Sequence, residues 1–235
     1  MQRKSTREIY VVKLSGSLFF SSQFENVVKI LIGTVRKNKS MVLVLIAGGG
    51  PTARRYIQAG KKFDADESSL DEIGIAISRL NAGVLKEALG NSAFSSVPEN
   101  LSEIVDALEI GAGRRDQLII VCGGLYPGQS TNAVAALIAE KARAVQLINA
   151  TDVDGVYNKD PRKFSRAKKL RSVSIKKLAE MLTEESVQAG DYDLMDPVAL
   201  KIIARSKIPT QILKCDPKIL EAALAGKLHG TKITF

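Results

Sequence analysis

The run Met41–Ala47, MVLVLIA, contains no polar residue and stops at three consecutive glycines, Gly48, Gly49 and Gly50. It is far shorter than the roughly 18 apolar residues that a membrane helix needs. It also lacks the polar alternation of a half-exposed strand, so it suits a strand buried on both faces. Such a strand requires a parallel sheet with helices above and below. Other apolar runs repeat the pattern: EIYVVKL ends at Ser15-Gly16-Ser17, QLIIVC at Gly123-Gly124, and AVQLINA at Thr151, while TQILK and TKITF close the chain. Between them lie helical patterns. Phe24, Val27, Val28, Ile30 and Leu31 form one apolar stripe. A long helix is predicted over Ser68–Leu89, capped by Ser68 or Ser69, with Asp71 and Glu72 in its first turn and Leu70, Ile73, Ile77, Leu80, Val84 and Leu85 on its apolar face. Shorter helices are predicted over Leu101–Ile110, Thr131–Arg143, from Asp196-Pro197 and from Asp216-Pro217. Alternating strands and helices imply an α/β fold with a mostly parallel central sheet. Thr151 to Ser172 is polar and reads as an excursion from that sheet, a candidate hairpin.

The bulk properties narrow the function. The chain has 235 residues and a net charge of +9, from 34 basic and 25 acidic residues. That charge fits a solvated lysine-rich surface, a field drawing in anionic small molecules, or nucleic-acid binding. Within the basic stretch Asn158–Lys177 no aromatic other than Phe164 is interleaved, which argues against single-strand binding. No membrane helix is expected, and the basic N-terminus leads into no apolar signal region, so a cytoplasmic protein is the expectation. Two cysteines, Cys122 and Cys215, do not suggest a disulfide framework, and Cys122 reads as a small core residue.

In an open parallel sheet the carboxyl ends of the strands share one edge, and ligands bind there. The three glycine turns would then converge. Glycine lets the backbone approach an anion, and the following helix offers unpaired N–H groups. Taken together the turns point to a site for several phosphates. Gly48, Gly50 and Ala53 also fit a dinucleotide fingerprint, but after the second strand, not the first. Counting from Asp152, a calcium loop fails because Gly155 is fourth where the sixth position needs glycine.

A phosphate site needs positive charge, and no G-K-[ST] follows these glycines. Lys13 lies near the end of the first strand. It either faces solvent or sits buried and meets an anion, since a lone buried charge is costly. Opposite charges about 4 Å apart interact by about 4 kcal/mol at an effective dielectric near 20. Arg54, one turn after Gly50, offers a planar fork for phosphate, whereas Arg55 points toward solvent.

Together the segments VKLSGS, AGGGPTARRYI, LDEIGIAISRLNA, GGLYPGQSTNAVAALIAEKA, NATDVDGVYNKDP and DPVALKIIARSKI resemble the amino-acid-kinase superfamily, and within it the uridylate (UMP) kinases of the archaeal type. The likeness runs from about Val11 to the C-terminus. It implies a three-layer α/β/α sandwich and transfer of the γ-phosphoryl group of Mg-ATP to UMP, in pyrimidine nucleotide biosynthesis. It also implies a homo-oligomer, commonly a hexamer. One kinase domain over residues 1–235 is expected, its acceptor part roughly 1–145 and its ATP part roughly 146–235.

By the same resemblance, Gly16 and Ser17 match an ATP-phosphate turn, Gly50 and Arg54 match contacts to nucleotide phosphates, and Gly49 matches a UMP contact. Asp71 matches a residue that holds the UMP ribose. Leu125, Tyr126, Pro127, Gly128, Gln129, Ser130 and Thr131 match the loop around UMP. Thr151, Tyr157 and Asp160 match the ATP base-and-ribose pocket, with packing as the alternative for Tyr157. Lys13 and Asp152 are the catalytic candidates. Asp152 stands where this type often has asparagine; in other members an aspartate there organises the catalytic lysines. Lys201 aligns with no clear role. Mg²⁺ is expected on phosphate oxygens and water, with no protein metal cluster. Nucleic acid and membrane are not expected partners. The only histidine, His229, lies far from every motif, which suits transfer to a phosphate oxygen that needs no general base. The alternatives are a same-fold kinase acting on a carboxylate, carbamate or other phosphate acceptor, and a non-catalytic nucleotide- or oxyanion-binding protein.

Overall fold

The computed structural model describes residues 7–113, 119–159, 161, 164–186 and 194–235. Its strands are β1 (Glu8–Leu14), β2 (Met41–Ala47), β3 (Ile119–Cys122), β4 (Gln146–Thr151), β5 (Ser172–Ser174), β6 (Thr210–Lys214) and β7 (Thr231–Thr234). The helices are α1 (Phe24–Lys37), α2 (Gly50–Lys61), α3 (Glu67–Leu89), α4 (Leu101–Gly113), α5 (Thr131–Lys141), α6 (Ile175–Ser186), α7 (Pro197–Ser206) and α8 (Pro217–Leu224). Among the described residues a single sheet of seven strands runs in the order β3-β2-β1-β4-β6-β7-β5. Every pairing is parallel except β6 with β7.

All seven residues of β2 are buried, as its unbroken apolar run requires. Burying each such side chain contributes about 1.5–3 kcal/mol. Side chains alternate between two cores. Val11, Val44, Ile120 and Leu147 pack with α4, α5, α6 and α7 on one face. Val12, Leu43, Leu45 and Ile148 pack with α1, α3 and α8 on the other. The result is the three-layer α/β/α sandwich expected from the strand and helix pattern.

The topology fixes where a ligand can bind. From β1 the chain moves outward to β2 and β3, then returns to place β4 on the other side of β1. The strand order therefore reverses at β1 and β4, and the carboxyl ends of these two strands are where an open α/β sheet binds ligands. Leu14 stands in register with both Ala47 and Ala150, so the segments after β1, β2 and β4 leave the sheet at one level.

Several local expectations change. Asp66, not Ser68 or Ser69, caps α3; its carboxylate accepts from the Ser69 amide and hydroxyl, each at 2.9 Å. The helix thus begins earlier, and Glu67 occupies its first turn in place of Asp71 and Glu72. Leu80 and Val84, expected on the buried face, are 64% and 47% exposed, because the inward positions go to Ser78, Asn81 and Ala82. The excursion after β4 is hairpin-like: Tyr157 and Lys169 form an antiparallel bridge, and the Leu170 amide donates to the Val156 carbonyl at 2.8 Å. Then come β5 and α6, which the strand and helix reading did not anticipate. β5 is a three-residue edge strand, too short to show a period, and α6 anchors through Leu178, Met181 and Leu182.

Candidate active site

Gly16 and Gly50 bring the first two glycine turns into backbone contact. A methyl group on Gly16 would stand 2.2 Å from the Gly50 nitrogen and 2.6 Å from the Gly48 carbonyl oxygen. Gly50 has φ +63°, a conformation that side chains disfavour. The Gly48 amide donates to the Leu14 carbonyl at 3.0 Å, extending the β1–β2 ladder into the turn. Beyond it, α2 begins at Gly50 with Pro51 in its first turn, so the amino end of a twelve-residue helix opens beside Gly16. Arg54 and Arg55 are both exposed one turn along.

Asp152 reaches this turn from just after β4. The Ser15 hydroxyl donates to its Oδ1 at 2.7 Å, and the Ser17 hydroxyl donates to the same oxygen. Ser15 also caps the short helix Gly16–Phe20 by accepting from the Ser17 amide. One carboxylate just after the fourth strand thereby holds the turn that follows the first.

Lys13 is partly exposed and stands in register with Ile46 on β2 and Asn149 on β4. Strand alternation sets Lys13 and Asn149 on the same face of the sheet as Val11 and Leu147. Asn149 is 1% exposed; its amide nitrogen donates to the Leu194 carbonyl at 2.8 Å, while its Oδ1 is buried without a partner. Cys215, just after β6, lies at the same sheet edge, and its amide donates to the Thr151 carbonyl at 2.8 Å. Burial pushes the Cys215 thiol up to about 11, although the Ser15 backbone and the Lys13 charge pull it down.

The third glycine turn differs from the other two. It stands at the same sheet edge, but its close approach is to α3. A methyl group on Gly123 would meet the Arg79 nitrogen at 2.6 Å. The Gly124 amide donates to the Ser78 hydroxyl at 2.7 Å. Here glycine serves helix packing, and the Gly124 amide is already taken by Ser78.

The loop from Leu125 to Thr131 follows. Leu125 is buried in the core, while Tyr126, Pro127, Gly128 and Ser130 are exposed. The Asp71 carboxylate on α3 accepts from the Gly128 amide at 2.6 Å. Ser130 caps α5 by accepting from the Asn132 and Ala133 amides, and its hydroxyl donates to Asp196, which caps α7. Thr131 begins α5, and Gln129 keeps its Oε1 buried without a partner.

On the other flank, Tyr157 donates to the Asp154 carboxylate at 2.9 Å, and Lys169 donates to the second oxygen at 2.9 Å. Burial favours the neutral Asp154 carboxyl, yet the Lys169 and Tyr157 donors outweigh it and hold the group below its ordinary value. Asp160 lies outside the described residues. Lys201 is exposed on α7. Among the described residues, no group of three His, Cys, Asp or Glu side chains is placed to hold a metal ion.

Sequence reading missed Ser78, Arg79, Asn81 and Asn149. Ser78 and Asn81 are 1% and 5% exposed on the inner face of α3, and polar residues three apart on such a face are the one signal that marked them. Asn81 donates to the Gly48 carbonyl at 2.8 Å.

The amino acid kinase family profile matches residues 8–214. A uridylate kinase of Sulfurisphaera tokodaii is 43% identical over 95% of this chain and 96% of its own. One from Sulfolobus acidocaldarius is 41% identical over 86% of this chain and 87% of its own. The crystal structure of a uridylate kinase from Archaeoglobus fulgidus is 35% identical, with TM-score 0.79, covering 96% of this chain and 99% of that one. Profile, sequence relatives and fold agree over nearly the whole length, and the chain belongs to the amino acid kinase family.

Proposed function

We propose that this protein is a UMP kinase, transferring the γ-phosphoryl group of Mg-ATP to UMP and releasing UDP and ADP. The observation that carries the reading is the contact between the Gly16 and Gly50 turns, tied to β4 by Asp152, at the point where strand order reverses. That contact gives phosphates a backbone-lined seat between two helix starts. The uridylate kinase relatives supply the nature of the acceptor.

In this reading Gly16, Ser17, Gly50 and Arg54 hold nucleotide phosphates, and Gly49 with the Leu125–Thr131 loop holds UMP. Asp71 anchors the UMP ribose. Thr151 and Tyr157 border the ATP base and ribose, and the resemblance gives Asp160 the same role. Residues 1–145 form the acceptor part and 146–235 the ATP part. A phosphate oxygen of UMP attacks the γ-phosphorus, and the bond to the β-bridging oxygen of ADP breaks. The acceptor oxygen is already anionic, so the protein supplies position and charge in place of a base. Lys13 stabilises the charge that builds on the moving group, and Asp152 fixes the turn at which it does so.

The donors at this turn are hard oxygens, the Asp152 carboxylate and the Ser15 and Ser17 hydroxyls, which suit Mg²⁺. When bound with the nucleotide, the ion neutralises phosphate charge. We read the protein as a cytoplasmic homo-oligomer, a hexamer by resemblance. The exposed Leu80 and Val84 on α3 support subunit contact, and no helix among the described residues is long and apolar enough to cross a membrane.

A coupled assay for ADP with ATP and each nucleoside monophosphate tests the reading. UMP should turn over at least tenfold faster than AMP or GMP. Turnover of a carboxylate or carbamate acceptor with none of UMP would overturn it.

A further inference from the structure

One side chain on α3 is bonded to more of the acceptor side than any residue assigned above. Arg79 Nε donates to the Gly124 carbonyl at 3.0 Å, and one terminal nitrogen donates to the Leu125 carbonyl at 3.2 Å. That nitrogen also donates to the Glu99 carbonyl at 2.9 Å, and the other donates to the Glu99 carboxylate at 2.7 Å. Three carbonyls from two separate segments and one carboxylate converge on a single guanidinium. Its side chain is 27% exposed; the bonds to the Gly124 and Leu125 carbonyls are partly buried, whereas those to Glu99 lie at the surface.

The surrounding bonds give this a direction. Asp71, Ser78, Arg79 and Asn81 lie on one helix. Asp71 accepts from Gly128, Ser78 accepts from Gly124, and Asn81 donates to Gly48. A rigid helix therefore holds the Gly48 turn at one point and the Gly124–Gly128 strand exit at several others. The distance between the two is set by α3, and Arg79 is its only cationic contact to the start of the loop among these four. The absence of a side chain at Gly123 lets the loop lie against the backbone of Arg79 itself. A guanidinium can serve these carbonyls in its plane at once; an ammonium on a flexible stem cannot reproduce that fork.

We propose that Arg79 is a positioning residue for the acceptor: it sets where the Leu125–Thr131 loop stands relative to the glycine turns, and so controls affinity for the acceptor nucleotide without touching it. The proposal rests on the reading that this loop takes the acceptor. Removing the guanidinium leaves carbonyls unpaired and the loop entry untethered, whereas the Gly16 turn and its Asp152 tie remain.

The test compares Arg79→Met, Arg79→Lys and Glu99→Gln with the wild type. Arg79→Met should raise the KM for UMP about tenfold or more while the KM for ATP stays within about twofold. Arg79→Lys should fall between, and Glu99→Gln, which leaves the carbonyl bonds in place, should shift it less than about threefold. Hydrogen exchange read without substrates should show faster exchange of the Gly124, Gly128 and Gln129 amides in Arg79→Met, with the Gly16–Leu18 amides unchanged. Equal rises in both KM values, an unchanged KM for UMP, or unchanged exchange in the loop would each overturn the proposal. If Arg79→Met does not fold, the same two readouts on Arg79→Lys decide. A wild type that ignores UMP would overturn the functional reading instead, and the exchange experiment would still decide the tether.

Discussion

Gly16 and Gly50 touch through their backbones, although one follows β1 and the other begins α2. A methyl group added at Gly16 would come within 2.2 Å of the Gly50 nitrogen, so one of the two turns must move. Backbone offers no rotamer escape, and overpacking of this kind costs about 1–3 kcal/mol. Gly16→Ala should lower the melting temperature by about 2–4 °C for each kcal/mol lost. It should also raise KM for both nucleotides, because the turns separate. Unchanged melting and unchanged KM values would mean that the contact is dispensable.

Lys13 tests the charge argument. It stands at the strand-order switch beside Asn149, on a sheet face otherwise lined by apolar side chains. Lys13→Met keeps the length and the apolar stem, so the fold should melt near the wild-type temperature. Turnover should fall by about a hundredfold to a thousandfold, the range for losing one preorganised charge partner. Turnover within a factor of three of wild type would remove Lys13 from the chemistry.

Asp152 separates geometry from charge. Its Oδ1 accepts from both Ser15 and Ser17. An asparagine oxygen can still accept from both, while alanine leaves the two hydroxyls without that partner. If the residue works by holding the turn, Asp152→Asn should raise KM for ATP by less than about threefold and Asp152→Ala by about tenfold. Equal losses in the two variants would assign the role to its negative charge instead.

The sheet was legible because buried parallel strands leave an unbroken apolar run, and β2 is the extreme case. The caps of α7 and α8 were legible because Asp-Pro combines a side-chain acceptor with a first-turn residue that needs no donor. The start of α3 was misjudged because Ser68 and Ser69 are as good caps in isolation as Asp66; only the geometry shows Ser69 donating to Asp66. The contacts of Ser78, Arg79 and Asn81 were invisible for a different reason. Their partners are main-chain groups of Gly124, Leu125 and Gly48, and a backbone carbonyl or amide leaves no trace in residue identity. For the same reason the packing of Gly123-Gly124 against α3 could not be read from the glycines themselves.

The Asp154, Lys169 and Tyr157 cluster makes a prediction about pH. Burial disfavours the charged carboxylate, but the Lys169 and Tyr157 hydrogen bonds prevail and the Asp154 carboxyl lies below its ordinary value. The bond to Asp154 is also the main cause that holds the Lys169 ammonium above its own. A depressed carboxyl contributes stability above its unfolded value, about 3.9, and loses it as pH falls through the folded value. A raised ammonium contributes below its unfolded value, about 10.4, and loses it as pH rises through the folded one. The pair therefore contributes fully across neutral pH. Both side chains are 41% exposed, so the effect is modest and screened by salt. In Lys169→Met the carboxyl loses its charged donor, and burial then acts against a weaker opposition. The wild type should melt slightly higher than Lys169→Met at pH 7, and this gap should close as pH falls below about 4. Melting curves between pH 3 and 8 at low salt check it. A gap that persists undiminished at pH 3 would show that Lys169 supports the hairpin by packing its stem, not through its charge.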